Sequence, residues 1–234
     1  MFDDGSVVIS VSSPADAADE IRRLRERMQR MSDGVPRRAL DSHPALAGVL
    51  QLRAGGTYEV DSTLLALALM AGPSAAGGWS AVLGMPDLGV EAAAELGVVL
   101  ERTILVPDPG TLWLEVTAAL VDVVQVVVLR PPARVSEHAA STLSARLRTR
   151  GSVLVACGRW PRSEARLSVE QPRWSGVGAG TGHLRSRRLV VTVQRGAAPA
   201  KRTPLWFPAP DGVVRRGEPA LAPAPEVAAV REAG

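Results

Sequence analysis

From Thr57 to Cys157 the chain alternates short apolar runs with longer stretches in which apolar residues recur every three or four positions. Short apolar runs bounded by turn formers suit strands buried on both faces, and the longer stretches suit crossover helices. The pattern predicts strands at TYEV (57–60), WSAVLG (79–84), TILV (103–106), VVQVVVL (123–129) and SVLVAC (152–157). Helices are expected at 62–71, 88–97, 111–121 and 135–149, with Gly72-Pro73, Pro107-Asp108-Pro109-Gly110 and Pro131-Pro132 as breaks. Such alternation is the mark of an α/β fold with a mostly parallel sheet flanked by helices.

The flanks read differently. Residues 15–31 form an amphipathic helix: Ser13 caps it, Pro14 suits its first turn, and acids lead while arginines follow. Ala17, Ile21, Leu24, Met28 and Met31 recur at heptad spacing, a narrow stripe that must pack either on the chain's own core or on a partner. After Cys157, ARLSVEQ (165–171) and LRSRRLVVTVQ (184–194) read as strands of an antiparallel C-terminal β extension. The Gly-rich GVGAGTG between them precedes a strand rather than a helix, so it is read as a hairpin loop and not a nucleotide loop. From Pro208 onward the chain is rich in Pro, Ala and Gly without a sustained period, and a mobile tail is expected. The expected division is an N-terminal segment 1–43, one core 44–207, and a tail 208–234.

Composition narrows the functional classes. The chain has 234 residues, enough for one α/β domain with extra segments. Its apolar content is carried by Ala, Val and Leu, with few aromatics on which bases could stack. No apolar run approaches the roughly 18 residues of a membrane span, and Met1-Phe2-Asp3-Asp4 lacks the basic start of a secretory signal, so a cytoplasmic location is expected. Cys157 is the only cysteine, which rules out an internal disulfide and reads as a small core residue. Lys201 is the only lysine, and the net charge of +3 is a weak hint of nucleic-acid binding.

The joint between TYEV and the following helix is where a phosphate loop stands in many nucleotide-binding α/β proteins. Such a loop needs glycines that bare the backbone N–H groups, a lysine for the phosphates and a hydroxyl for magnesium. GGTYEVDSTLL has neither those glycines nor the lysine, and only Asp61 and Ser62 separate strand from helix. Asp61, Ser62 and Thr63 are therefore read as capping residues. VVQVVVLR ends in Leu129-Arg130 where a magnesium-binding aspartate would stand, and Met85-Pro86 replaces a water-activating glutamate. Asp87 is read as a helix N-cap. His43, His138 and His183 are scattered without zinc spacing, and no serine or cysteine has a nucleophile-elbow context. No catalytic residue, cofactor or metal is expected.

Arg159, Arg162 and Arg166, with Arg185, Arg187 and Arg188, are expected on one basic face, because period-two alternation brings Arg185 and Arg187 together. That face is either a solvated strand surface or a site of weak DNA contact.

The order of segments resembles the RecA recombinase core over about residues 45 to 213: GGTYEV before an apolar helix, LGVVLERTILVPDPGTLWLEVTAALV leading into VVQVVVL, then RLSVEQ and LVVTVQRGAAP. AGPSAAGGWSAVLGMPDLG, LSVEQPRW and GHLRSRRLVV are similar to the shortened RecA-like proteins called ImuA, of the actinobacterial kind encoded with translesion polymerases. The resemblance implies a RecA-like sheet without ATPase activity. It further implies an accessory role in DNA-damage-induced mutagenesis, joining an inactive Y-family polymerase-like protein (ImuB-type) to an error-prone C-family DNA polymerase, with nucleoid association when assembled. Residues 130–151 are too few for a first DNA-binding loop and its helix, and 159–164 replace the second, so strand exchange is not expected. Ile21, Leu24, Met28 and Met31 stand where RecA's N-terminal helix docks on a neighbour. Related remnants also resemble the division inhibitor SulA, which leaves an SOS cell-division inhibitor as the alternative and a DNA-binding RecA-like regulator as a third.

Overall fold

The computed structural model describes residues 37–132, 134–178 and 181–217. The amphipathic helix expected at 15–31 lies outside the described residues.

Nine strands make one sheet in the order β3-β2-β4-β5-β1-β6-β7-β8-β9. In chain order these are β1 (Thr57–Val60), β2 (Ser80–Leu83), β3 (Thr103–Val106), β4 (Val126–Leu129), β5 (Val153–Cys157), β6 (Ala165–Gly178), β7 (Thr181–Gln194), β8 (Lys201–Trp206) and β9 (Arg215–Arg216). β1 to β6 run parallel, and β7, β8 and β9 each pair antiparallel with the strand before. The expected α/β class, mostly parallel with an antiparallel C-terminal region, therefore holds.

Four helices fill the crossovers: α1 (Thr63–Ala75), α2 (Val90–Glu95), α3 (Trp113–Val121) and α4 (Glu137–Arg150). The chain steps toward the β3 edge through α1 and α2 and returns through α3 and α4. Right-handed crossovers in opposite directions place their helices on opposite faces, which is what the core shows. Leu65 and Met70 of α1 and Ala93 of α2 pack with Val60, Val82, Val128 and Val155. Val121 of α3 and Leu143 and Leu147 of α4 pack with Leu83, Leu129 and Leu154. Strands covered on both faces have no polar face to show, hence their unbroken apolar sequences.

Element ends follow local chemistry. Ser136 caps α4 by accepting from the Ala139 N–H at 3.1 Å, and Gly151 closes it in the left-handed region at φ 72°. Asp122, just past α3, accepts from Arg146 and Arg150 of α4, and the hydrogen bond from Arg146 above all holds its carboxyl down at about 2.

Several boundaries differ from the sequence reading. α1 runs on through Gly72-Pro73 to Ala75. A proline in a last turn forfeits one backbone bond only, and a Cβ at Gly72 would stand 2.6 Å from backbone atoms of Asp41, Ser42 and His43, so glycine is there for close approach. β4 begins at Val126 because the N–H groups of Val123 and Val124 bond to Leu120 and finish α3 instead. β6 continues through Pro172 across a bulge at Gln171, whose φ is 50°. β8 was not anticipated, since Pro204 demotes its run as a strand; proline is accommodated next to the short β9, near the sheet edge. Residues 208–217, placed by sequence in the tail, include β9 and the buried Ala209. Among the described residues no helix is long and apolar enough to cross a membrane.

Candidate functional site

In an open α/β sheet ligands bind beyond the carboxyl ends of the strands, where neighbouring strands send their crossovers to opposite faces. Here β2 leads to α2 on one face, while its neighbour β4 leads to α4 on the other. Arg130, the residue after β4, crosses that position. Its Nη1 donates to Asp87 Oδ1 at 2.6 Å and its Nη2 to Thr63 Oγ1 at 3.0 Å, while its backbone N–H donates to the Leu83 carbonyl at 3.0 Å. One side chain thus ties together the segments that follow β1, β2 and β4. The hydrogen bond from Arg130 holds the Asp87 carboxyl below its ordinary range.

These contacts revise the capping assignments. Ser62 occupies the N-cap of α1 in extended geometry without a side-chain cap bond. Asp61 turns away and accepts from the Val169 N–H of β6 at 3.1 and 3.2 Å. Thr63 receives Arg130. The N-cap of α2 is Gly89, so Asp87 serves as the guanidinium's partner and not as a cap. The exposed Asp87 carboxylate is thus engaged by an arginine from the end of the neighbouring strand.

Cys157 ends β5 half-buried, and burial pushes its thiol up to about 11, with Arg130 opposing. Only the thiolate attacks an alkylating agent. At pH 8 iodoacetamide should therefore label the native chain at least about tenfold more slowly than the urea-unfolded chain, whose thiol has the ordinary pKa of about 8.5. Equal rates in a timed mass-spectrometric assay would refute this environment.

The connection from β5 to β6 holds the first arginine group. It carries no helix and straddles β1: the Gly158 N–H donates to Val60 and the Glu164 N–H to Thr57. Trp160 packs into the α3–α4 side of the core, and its backbone N–H donates to Glu59 Oε2 at 3.2 Å. Glu59, buried on β1, meets Arg166 Nε at 2.8 Å. Arg162 pairs with Glu137 at 2.9 Å. A cleft of about 440 Å³ opens beside them, lined by Arg134, Arg159 and Arg166 together with Glu137 and Trp160.

The second group lies elsewhere. Arg166 stands opposite Gln194 at one end of the β6–β7 pair, and Arg187 opposite Trp174 toward the other. Seven strand residues separate those rungs, roughly 23 Å at 3.3 Å per residue. Leu189, Val191 and Val193 face the α1 side of the core, so Arg188 points to the opposite face and Arg187 to theirs. Arg185 falls where β7 carries two extra residues against β6, which breaks the alternation that was to align it with Arg187. The expected single face is thus two groups at two ends of a ribbon. Arg187 lies over the Trp174 ring at 5.4 Å and Arg188 over Trp206 at 5.8 Å. Sequence reasoning passed over Glu59, Arg173 and both tryptophans. A signal was present: residues 171–210 contain no acid, six arginines and Lys201. Among the described residues no three His, Cys, Asp or Glu side chains converge as a metal cage would need.

A doubly wound α/β sheet with an arginine brace across its carboxyl-end crevice and an antiparallel ribbon at one side defines the class of this protein. Residues 45–162 match the family described as the MT3502 N-terminal domain, and the chain belongs to that family. The protein of Mycobacterium tuberculosis (strain ATCC 25618 / H37Rv) described as "Uncharacterized protein Rv3395c" is 38% identical over 159 residues, 65% of this chain and 76% of that protein. The family match takes in β1 to β5 and stops within the connection to β6.

Proposed function

We propose that this chain is a non-enzymatic accessory subunit of a DNA-damage-induced translesion synthesis complex, an ImuA-like, RecA-derived scaffold. Its partners are an inactive Y-family polymerase-like protein and, directly or through that protein, an error-prone C-family DNA polymerase. The observation that carries the reading is the Arg130 brace: a guanidinium held by Thr63 and Asp87 stands where a nucleotide's phosphates and magnesium would sit. The two-residue joint between β1 and α1 supports the same conclusion. A fold kept without that chemistry is kept for its surfaces.

One surface fits a partner. Among the described residues β3 is the edge of the sheet, its strand residues TILV carry no charge, and Leu105 and nearby Leu112 are 43% and 61% exposed. Uncovered apolar edges are where sheets take on another chain. The test is coexpression of the tagged chain with the polymerase-like protein. A stable complex is expected, and Leu105→Glu with Leu112→Glu should cut its recovery at least tenfold, since each buries a charge at the contact, while the melting temperature stays within a few degrees. Leu24→Glu with Met28→Glu examines the N-terminal stripe in the same assay. Capture of the division GTPase in place of the polymerase-like protein would favour the SulA-like alternative. Tight, magnesium-dependent ATP binding would overturn the non-enzymatic reading.

A further inference from the structure

The β6–β7 ribbon outruns its neighbours. β1 meets β6 at residues 165–167, with a last tie from Asp61 to Val169, and β8 meets β7 no farther than Arg188. Arg187 then exchanges backbone bonds with Phe207 and Pro208. Beyond those points, among the described residues, the two strands pair only with each other, as an arm that runs to the rung between Gly178 and Thr181. A lone two-stranded ribbon is marginal in water; this one is the continuation of strands anchored in the sheet.

We propose that this arm binds single-stranded nucleic acid, with Trp174 as a base-stacking platform, Arg187 beside it on the same face, and Arg173 and Arg185 along the arm as further phosphate contacts. The inference does not depend on the accessory-subunit reading. Three observations carry it. The arm lies in the acid-free stretch, and none of Arg173, Arg185 and Arg187 meets a carboxylate among the described residues. That charge calls for a polyanion.

Trp174 is 50% exposed with the Arg187 guanidinium over its ring, and the arrangement repeats across the ribbon as Arg188 over Trp206. A half-exposed indole beside arginines is the element that sequence-tolerant strand binders use, because every base has a π face. The Arg187 head makes no hydrogen bond to another described residue, and its Nε is buried without a partner. Among the described residues its hydrogen-bonding capacity is not used. An acidic peptide would answer the charge and leave the indole without a flat partner, and a duplex keeps its base faces stacked inside. A single strand presents phosphates and bases together.

The test uses the full chain and a fluorescein-labelled oligothymidylate about 20 nucleotides long, longer than the largest usual site of ~16. Binding is read by anisotropy across a salt series. Trp174→Leu should weaken binding at least ~fivefold, and Trp174→Phe should keep most of it. Arg173→Ala with Arg185→Ala should flatten the slope of log affinity against log salt by about 1.4. Circular dichroism melts confirm that each variant folds. The proposal is overturned if the wild type does not bind, if Trp174→Leu binds as the wild type does, or if duplex is preferred. It is equally overturned if heparin or a polyglutamate peptide competes as well as the oligonucleotide, or if loss follows Arg134→Ala with Arg159→Ala while the arm variants bind normally. Partner capture by the arm variants should be unchanged, which separates failure here from failure of the accessory reading.

Discussion

Gly84→Val should cost the fold about 2–6 kcal/mol, a large part of its stability, and melt at a much lower temperature than the wild type. Gly84 follows β2 with φ at 70°, a backbone region that a β-branched residue scarcely enters. A Cβ there would also fall well inside contact distance of the Arg130 carbonyl oxygen. Backbone oxygen cannot swing aside as a side chain can. The Gly84 N–H bonds to Val106 and the Arg130 N–H to Leu83, so relieving the overlap means parting β2 from β3 or from β4. Conformational strain of about 1–3 kcal/mol adds to overpacking of about 1–3 kcal/mol, against a total stability of roughly 5–15 kcal/mol. Soluble expression and a thermal melt followed by circular dichroism check the expectation. A cooperative transition within a few degrees of the wild type would show that the turn is not constrained as described.

The second large effect concerns Glu59, whose side chain is 8% exposed and is neutralised by Arg166. Arg166→Ala leaves a buried carboxylate with the Trp160 N–H as its remaining donor among the described residues. Breaking a buried pair from one side costs about 3–5 kcal/mol. Arg166 is itself half exposed, so about 2–3 kcal/mol is the fitting range here. Glu59→Gln in the same chain removes the stranded charge and keeps an oxygen for Trp160. The double variant should recover more than half of the loss in a urea titration at unchanged slope. Strictly additive losses would mean that the two residues are not coupled, and the account of the pair would fall.

What could be read from the sequence was set by how local each cause is. VVVL and VLVAC announce strands because burial on both faces leaves its trace within one segment. The glycine that ends α4 is equally local. The Arg130 brace was not legible in the same way: Thr63 and Asp87 become its neighbours only through a strand order that puts β2 beside β4. Asp61 and Asp87 looked like caps because a carboxylate near a helix start has a good local use, and in each case a partner from another strand displaced it. Arg187 and Trp174 meet through a one-residue bulge that no alternation rule foresees. Arg185 failed to align with Arg187 for the same kind of reason. β8 was hidden by Pro204, whose tolerance depends on lying near the free side of the sheet.

The placement of β1 has a consequence for how the chain assembles itself. It leaves the ribosome before the other described strands, yet the strands on either side of it, β5 and β6, come from residues 153–157 and 165–178. Its one buried carboxylate is answered by groups 101 and 107 positions later. Contacts that distant in sequence close slowly. The centre of the sheet is therefore written first and seated last, and the ribosome must deliver Leu167 before Thr57–Val60 can be flanked on both sides.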